Sequence, residues 1–316
     1  MGITLYKNAD WILTVNEKRE KFRHGDLLIS GKEILDVGND LEKKYAGKLQ
    51  IDKTIDAKGT VILPGFVNIH HHTWQSLIRN IQATRGLKLE PWLTVMYEIY
   101  KDLNTDVARA GVYSGLGDML KTGCTTSNDL WYPHPVGVKY LVDAEIQAAA
   151  EIGIRFHPTR GFHSVPSDIV PPEVVDTKES VTEDTIRLVK KYHDRSRFSM
   201  CQVGIAPSIA QYETEDIIEA VVDLAEEYDI MVHGHLAESQ HEVEYTLKTW
   251  GCRPFEWFKR HRLLGKRFYF AHCIHLNEEE IEQMAETETG VAHCPISNML
   301  LSSGACPVPS YLKHGL

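Results

Sequence analysis

Beyond residue 60 the chain alternates between two hydrophobic textures. Short, nearly continuous apolar runs recur at 61–70, 125–130, 154–159, 200–206, 230–236, 268–273 and 290–294. Longer amphipathic segments separate them, among them 108–121, 141–152, 180–193, 213–228 and 278–288. Runs of the first kind suit strands of a parallel sheet covered on both faces. Seven strand–helix repeats in succession predict an α/β fold, a TIM-like (β/α) barrel in preference to a doubly wound sheet. Residues before 61 read differently. Apolar or alternating runs at 3–5, 11–15, 26–29, 33–37 and 54–55 are punctuated by Gly25, Gly31, Gly38 and Gly59, the pattern of a small all-β unit built from hairpins. The expected organisation is a β-rich unit over 1–60 followed by a barrel over 61–316.

In such barrels the chemistry gathers at the carboxyl ends of the strands. The first barrel strand ends in His70-His71-His72. Alternation along a strand puts His70 and His72 on one face, a half-site for a transition metal, and turns His71 to pack behind the barrel. Asn128 and Asp129 end the second strand, Arg160 follows the third, and Ser208 and Gln211 follow the fourth. His233 and His235 end the fifth, with Glu238 three residues beyond His235. His272 and His275 end the sixth, and His293 the seventh. His235 is the expected third metal ligand. Glu238 is placed to move a proton between metal-bound water and a leaving nitrogen. His272 either ligates the metal or hydrogen-bonds its water or the substrate carbonyl. Trp74, Trp92 and Trp131 are candidates for the pocket wall.

The formal net charge of −10 argues against nucleic acid as a partner. No stretch approaches the ~20 apolar residues of a membrane-spanning helix. The first ten residues lack the basic-then-apolar layout of a signal peptide. The six cysteines are scattered without a CxxC pair, which points to reduced thiols and a cytoplasmic protein. Without a PCxxC string, the chain does not follow the cytidine-type zinc deaminases.

Several strings together resemble the amidohydrolase superfamily, in its branch of metal-dependent deaminases and chlorohydrolases of nitrogen heterocycles. They are Pro64-Gly65-Phe66 before His70-x-His72, then His235-Leu236-Ala237-Glu238, His272-Cys273-Ile274-His275-Leu276, and Gly290 through Asn298 in the form GVAHCPISN. The stretch from His70 to Arg79 is similar to the HHHxxQxLxR signature of 8-oxoguanine deaminase-like and hydroxytriazine aminohydrolase-like enzymes. Arg155 through Gly161 fits the same branch, whereas Ala206 through Tyr212 departs from the string of the 8-oxoguanine enzymes and leaves the substrate open.

The resemblance implies a metallo-dependent (β/α)₈ barrel with a small β-sandwich. It also implies one divalent ion, zinc by default with iron(II) fitting the same ligands, held by His70, His72 and His235. Glu238 would be the proton shuttle, and His272 would contact the hydrolytic water or the substrate. Gln75, Trp92, Arg160 and His293 would contact a small purine-, pterin- or triazine-like ring. The implied reaction is attack of metal-bound hydroxide on a ring carbon with release of ammonia. Loss of chloride or an alkylamine is the alternative, and a non-catalytic homologue a further one. Dimers or larger homo-oligomers are common in the branch. Its last metal contact is an Asp ending an eighth strand. The chain stops at Leu316, where that strand is expected to begin, so it reads as a truncated form that binds metal weakly and turns over poorly.

Overall fold

The computed structural model describes residues 2–316 and divides into two compact units, one ending at Phe66 and the other beginning at Val67. In the first unit, β1 (Ile3–Leu13) pairs antiparallel with β2 (Lys21–Ser30), which pairs antiparallel with β3 (Glu33–Gly38). β4 (Lys53–Asp56) and β5 (Val61–Ile62) add to β1 in parallel. The apolar runs at 3–5 and 11–15 are one strand whose register shifts between Tyr6 and Ala9. The unit is not all-β. A short helix, α1 (Leu41–Tyr45), buries Leu41 against Leu5 and Leu28.

From Phe66 onward the chain builds a parallel sheet of seven strands, all but that first residue within the second unit. They are β6 (Phe66–Asn68), β7 (Cys124–Trp131), β8 (Arg155–Phe162), β9 (Gly204–Pro207), β10 (Val232–Leu236), β11 (Phe268–His272) and β12 (Gly290–Ala292). Their spatial order is their chain order. Strictly sequential parallel neighbours joined by helices curl into the wall of a TIM-like barrel, which is the fold class. The helices are α2 (Leu89–Tyr100), α3 (Thr105–Lys121), α4 (Leu141–Ile152), α5 (Lys178–Tyr192), α6 (Glu215–Tyr228) and α7 (Gln240–Trp250). After these come α8 (Pro254–Arg260), α9 (Glu278–Thr287), α10 (Pro295–Leu300) and α11 (Val308–His314). Local chemistry starts several of them. The Asn104 side chain accepts the N–H groups of Asp106 and Val107 at α3, and Asn277 forms a capping box with Glu280 at α9.

One expected strand is divided. Of the run 61–70, Val61–Ile62 pairs with β1 in the first sheet, and only Phe66–Asn68 joins the parallel sheet. Pro64, which has no N–H to give a ladder, lies in the break with Gly65. The three histidines therefore follow the strand rather than end it. His72 keeps an extended backbone (φ −129°, ψ 91°) as it enters the turn Thr73–Leu77.

Candidate active site

A cavity of about 790 Å³ opens at the carboxyl ends of these strands, lined by His70, His72, His235, Glu238, His272 and His293. The donor atoms of His70, His72 and His235 lie within 4.8 Å of one another. Each ring is fixed by its other nitrogen. His72 Nδ1 meets the Leu130 carbonyl at 2.7 Å, and His235 Nδ1 meets the Ser208 carbonyl at 2.7 Å. A carbonyl only accepts, so both Nδ1 atoms carry the proton and both Nε2 atoms present lone pairs. His233 Nδ1 likewise donates to the Tyr269 carbonyl at 2.9 Å, which leaves its Nε2 to accept from His70 Nδ1 at 2.8 Å. His70 thus also turns an Nε2 lone pair to the cavity.

The Nε2 atoms of His72 and His235 face each other at 3.3 Å with no proton to share. Two opposed lone pairs repel, and a cation between them removes the conflict. Burial pushes His235 down to about 4 and His72 well below the usual histidine range, so the rings are neutral as ligands must be. Three neutral imidazoles oriented by carbonyls and a neighbouring imidazole fit a divalent ion such as zinc, with coordination positions left over.

Glu238 sits beside this triad, 5% exposed. Its Oε2 is 3.4 Å from His272 Nε2, and its Oε1 accepts from the Ser303 hydroxyl at 3.4 Å. Burial pushes the Glu238 carboxyl up to about 7, against the opposing pull of His235. The carboxylate of Glu242 accepts the backbone N–H groups of Ala237 and Glu238 and holds this turn. Gly234 between the two β10 histidines is required by packing, because a Cβ there would collide with the Pro207 carbonyl of β9.

The other expected residues divide. Gln75, Trp92 and His293 line the cavity, and the Gln75 amide donates to the Tyr100 hydroxyl at 3.0 Å. Arg160 does not reach it. Its guanidinium is 2% exposed and bound by Asp176 at 2.7 Å and Asp184 at 3.0 Å, so all its charge is spent inside the fold. Arg160 is corrected from a substrate contact to a structural ion pair. Trp74 and Trp131 are core residues, 1% and 0% exposed. His71 packs behind the sheet, its Cε1 close to Gly115 of α3. His275 bonds the Ser303 carbonyl at 2.8 Å.

The linear pattern did not single out His163, Tyr97 or Tyr132, which also line the cavity. His163 Nε2 bonds the Tyr97 hydroxyl, its Nδ1 lies 3.5 Å from buried Glu213, and burial pushes the ring down to about 3. The strand-end rule contained the signal, since His163 is the residue after β8. Tyr97 and Tyr132 carry no such marker.

A curled parallel sheet with a histidine-lined pocket at the carboxyl ends of its strands defines a class of barrel proteins. The chain belongs to the amidohydrolase family, whose match covers residues 61–316. It is 35% identical over 255 residues to an 8-oxoguanine deaminase of Pseudomonas aeruginosa, covering 80% of this chain and 57% of that protein. It is 31% identical over 314 residues to a 5-methylthioadenosine/S-adenosylhomocysteine deaminase of Bacillus cereus, covering 99% of this chain and 68% of that protein. Among solved structures, the atrazine chlorohydrolase of Arthrobacter aurescens TC1 complexed with zinc superposes with a TM-score of 0.91 at 25% identity, covering 99% of this chain and 70% of that one. The chain thus spans little more than half the length of the first of these relatives. The branch suggested by the sequence motifs is the one these relatives occupy.

Proposed function

We propose that this protein is a metal-dependent hydrolase that deaminates a nitrogen heterocycle of purine, pterin or triazine type. The observation that carries the reading is the set of three imidazoles with Nε2 lone pairs converging beside a buried carboxylate in one cavity. His70, His72 and His235 would hold one divalent ion, with zinc suited to the donor set. When bound, the ion supplies the positive charge that lets water ionise near neutral pH.

The remaining work falls to the chain's own groups. Glu238 takes the proton released at the water and delivers it to the departing nitrogen. Through Nε2, 3.4 Å from that carboxylate, His272 orients the water or the substrate's ring substituent. Gln75, fixed by Tyr100, offers its amide to the ring edge, and Trp92 and His293 add to the wall. The aromatic lining excludes water from around the ring.

The test is ammonia release by the zinc-loaded protein across 8-oxoguanine, guanine, isoxanthopterin, cytosine and hydroxytriazines, with chloride and alkylamine followed on chlorinated and alkylated triazines. Ammonia from one ring class is expected, and it should vanish in Glu238→Gln while zinc content is kept. Release of chloride or alkylamine alone would transfer the protein to the dehalogenating or dealkylating reaction. Turnover unchanged in Glu238→Gln would overturn the assignment.

A further inference from the structure

Within the cavity, His70 belongs to a second triad of donors. Its ligand atom, one from His272 and the Cys294 sulfur also lie within 4.8 Å of one another. His272 Nδ1 donates to Asn298 Oδ1 at 2.8 Å, which leaves its Nε2 with a lone pair. His272 is 3% exposed and its Nε2 lies 3.4 Å from the Glu238 carboxyl. Cys294 is a free thiol that lines the same cavity, where its sulfur makes a weak contact to the Ala292 carbonyl at 3.4 Å and a hydrogen bond with the His272 backbone. Two imidazoles and a thiol form a softer donor set than three imidazoles and favour thiophilic ions.

We propose that His70, His272 and Cys294 form a second, overlapping site for a thiophilic divalent cation, Cd²⁺ or excess Zn²⁺. The cation forms a bond to the sulfur as the thiol proton leaves to solvent, and it takes the Nε2 lone pairs of His70 and His272. His70 has one lone pair for two triads, because its Nδ1 is committed to His233. Occupation of the two sites is therefore exclusive. An ion in the sulfur site withdraws His70 from His72 and His235 and occupies His272. The chain then carries a built-in route to inhibition by soft metals, independent of which heterocycle it uses.

The experiment is titration of metal-free protein with Cd²⁺, reading the ultraviolet sulfur-to-metal charge-transfer band and the bound cadmium. Wild type should develop the band, and Cys294→Ser, which keeps the other five cysteines, should not. Asn298→Ala, which frees the His272 ring, should weaken the band's midpoint by about 10–100-fold. His235→Gln disables the first triad alone, so it should keep the band and reach it at lower Cd²⁺. A band that survives Cys294→Ser, or cadmium bound by wild type with no band, would overturn the proposal. None of these readouts depends on turnover, so failure of the deaminase reading leaves the result standing. Circular dichroism of each variant separates lost binding from lost fold.

Discussion

The Glu242 carboxylate accepts the backbone N–H of Glu238 at 2.9 Å, and its second oxygen accepts that of Ala237 at 3.0 Å. Ala237 is held in the left-handed region at φ 48°, where a Cβ costs about 1–2 kcal/mol. Glu242 is fully buried and stabilises the strained turn that aims Glu238 at the histidines. Glutamine at 242 offers one acceptor where two N–H groups need one each, and its amide points a donor at a donor. Glu242→Gln should lower kcat about tenfold or more with little change in KM, because in the proposed reaction Glu238 carries the proton and its misplacement affects the chemical step. It should also cost about 1–3 kcal/mol in urea unfolding for the stranded N–H. Unchanged kcat with full stability would remove Glu242 from this role.

Arg160 tests structure against substrate contact. Replacing it with methionine strands Asp176 and Asp184 in a buried setting, and breaking such a pair costs about 3–5 kcal/mol. The melting temperature should fall sharply. The surviving folded fraction should bind substrate with unchanged KM. A raised KM in a stable Arg160→Met protein would restore Arg160 to the pocket.

Metal should be visible as stability. Zinc binding to the folded chain at about 100 times its Kd adds about 2.7 kcal/mol, so wild type should melt higher with zinc and fall back with chelator. His235→Gln removes one of the three imidazoles and should lose most of that shift. Equal zinc shifts in both proteins would place the ion elsewhere.

Asp143 links stability to acid. Burial alone would raise its pKa, but hydrogen bonds from Arg187, Lys191 and Tyr192 outweigh burial and hold it at about 2, below its ordinary 3.8. A depressed folded value means the carboxylate stabilises the fold above the ordinary value. That contribution is lost as pH falls through about 2. It is worth about 2 kcal/mol. The stability gap between wild type and Asp143→Asn should be widest above pH ~4 and narrow steadily below it. A gap independent of pH would contradict the pairing.

Most of the barrel was legible because its strands are buried on both faces. Continuous apolar runs mark such strands locally, and the ends of β7, β8, β10 and β11 fall within a few residues of those runs. The exception was 61–70, a single apolar run shared between two sheets. Hydrophobicity does not say which partner a strand takes, and here Pro64-Gly65 marks the division. Helix α1 escaped because five residues are too few to show a helical period.

Residue type and strand-end position by themselves determined that His70, His72, His235, Glu238 and His272 could meet, since a barrel brings all its strand ends to one rim. They also determined a negative chain in which, among the described residues, no helix is apolar and long enough to span a membrane. Only the tertiary structure decided which nitrogen each histidine presents, because that depends on carbonyls of Leu130, Ser208 and Tyr269 that lie far along the chain. It turned Arg160 inward, since Asp176 and Asp184 reach it from the loop and helix that follow β8. It also brought Cys294 to His70 across 224 residues of chain, a proximity that no local pattern encodes because it arises from the closing curve of the sheet.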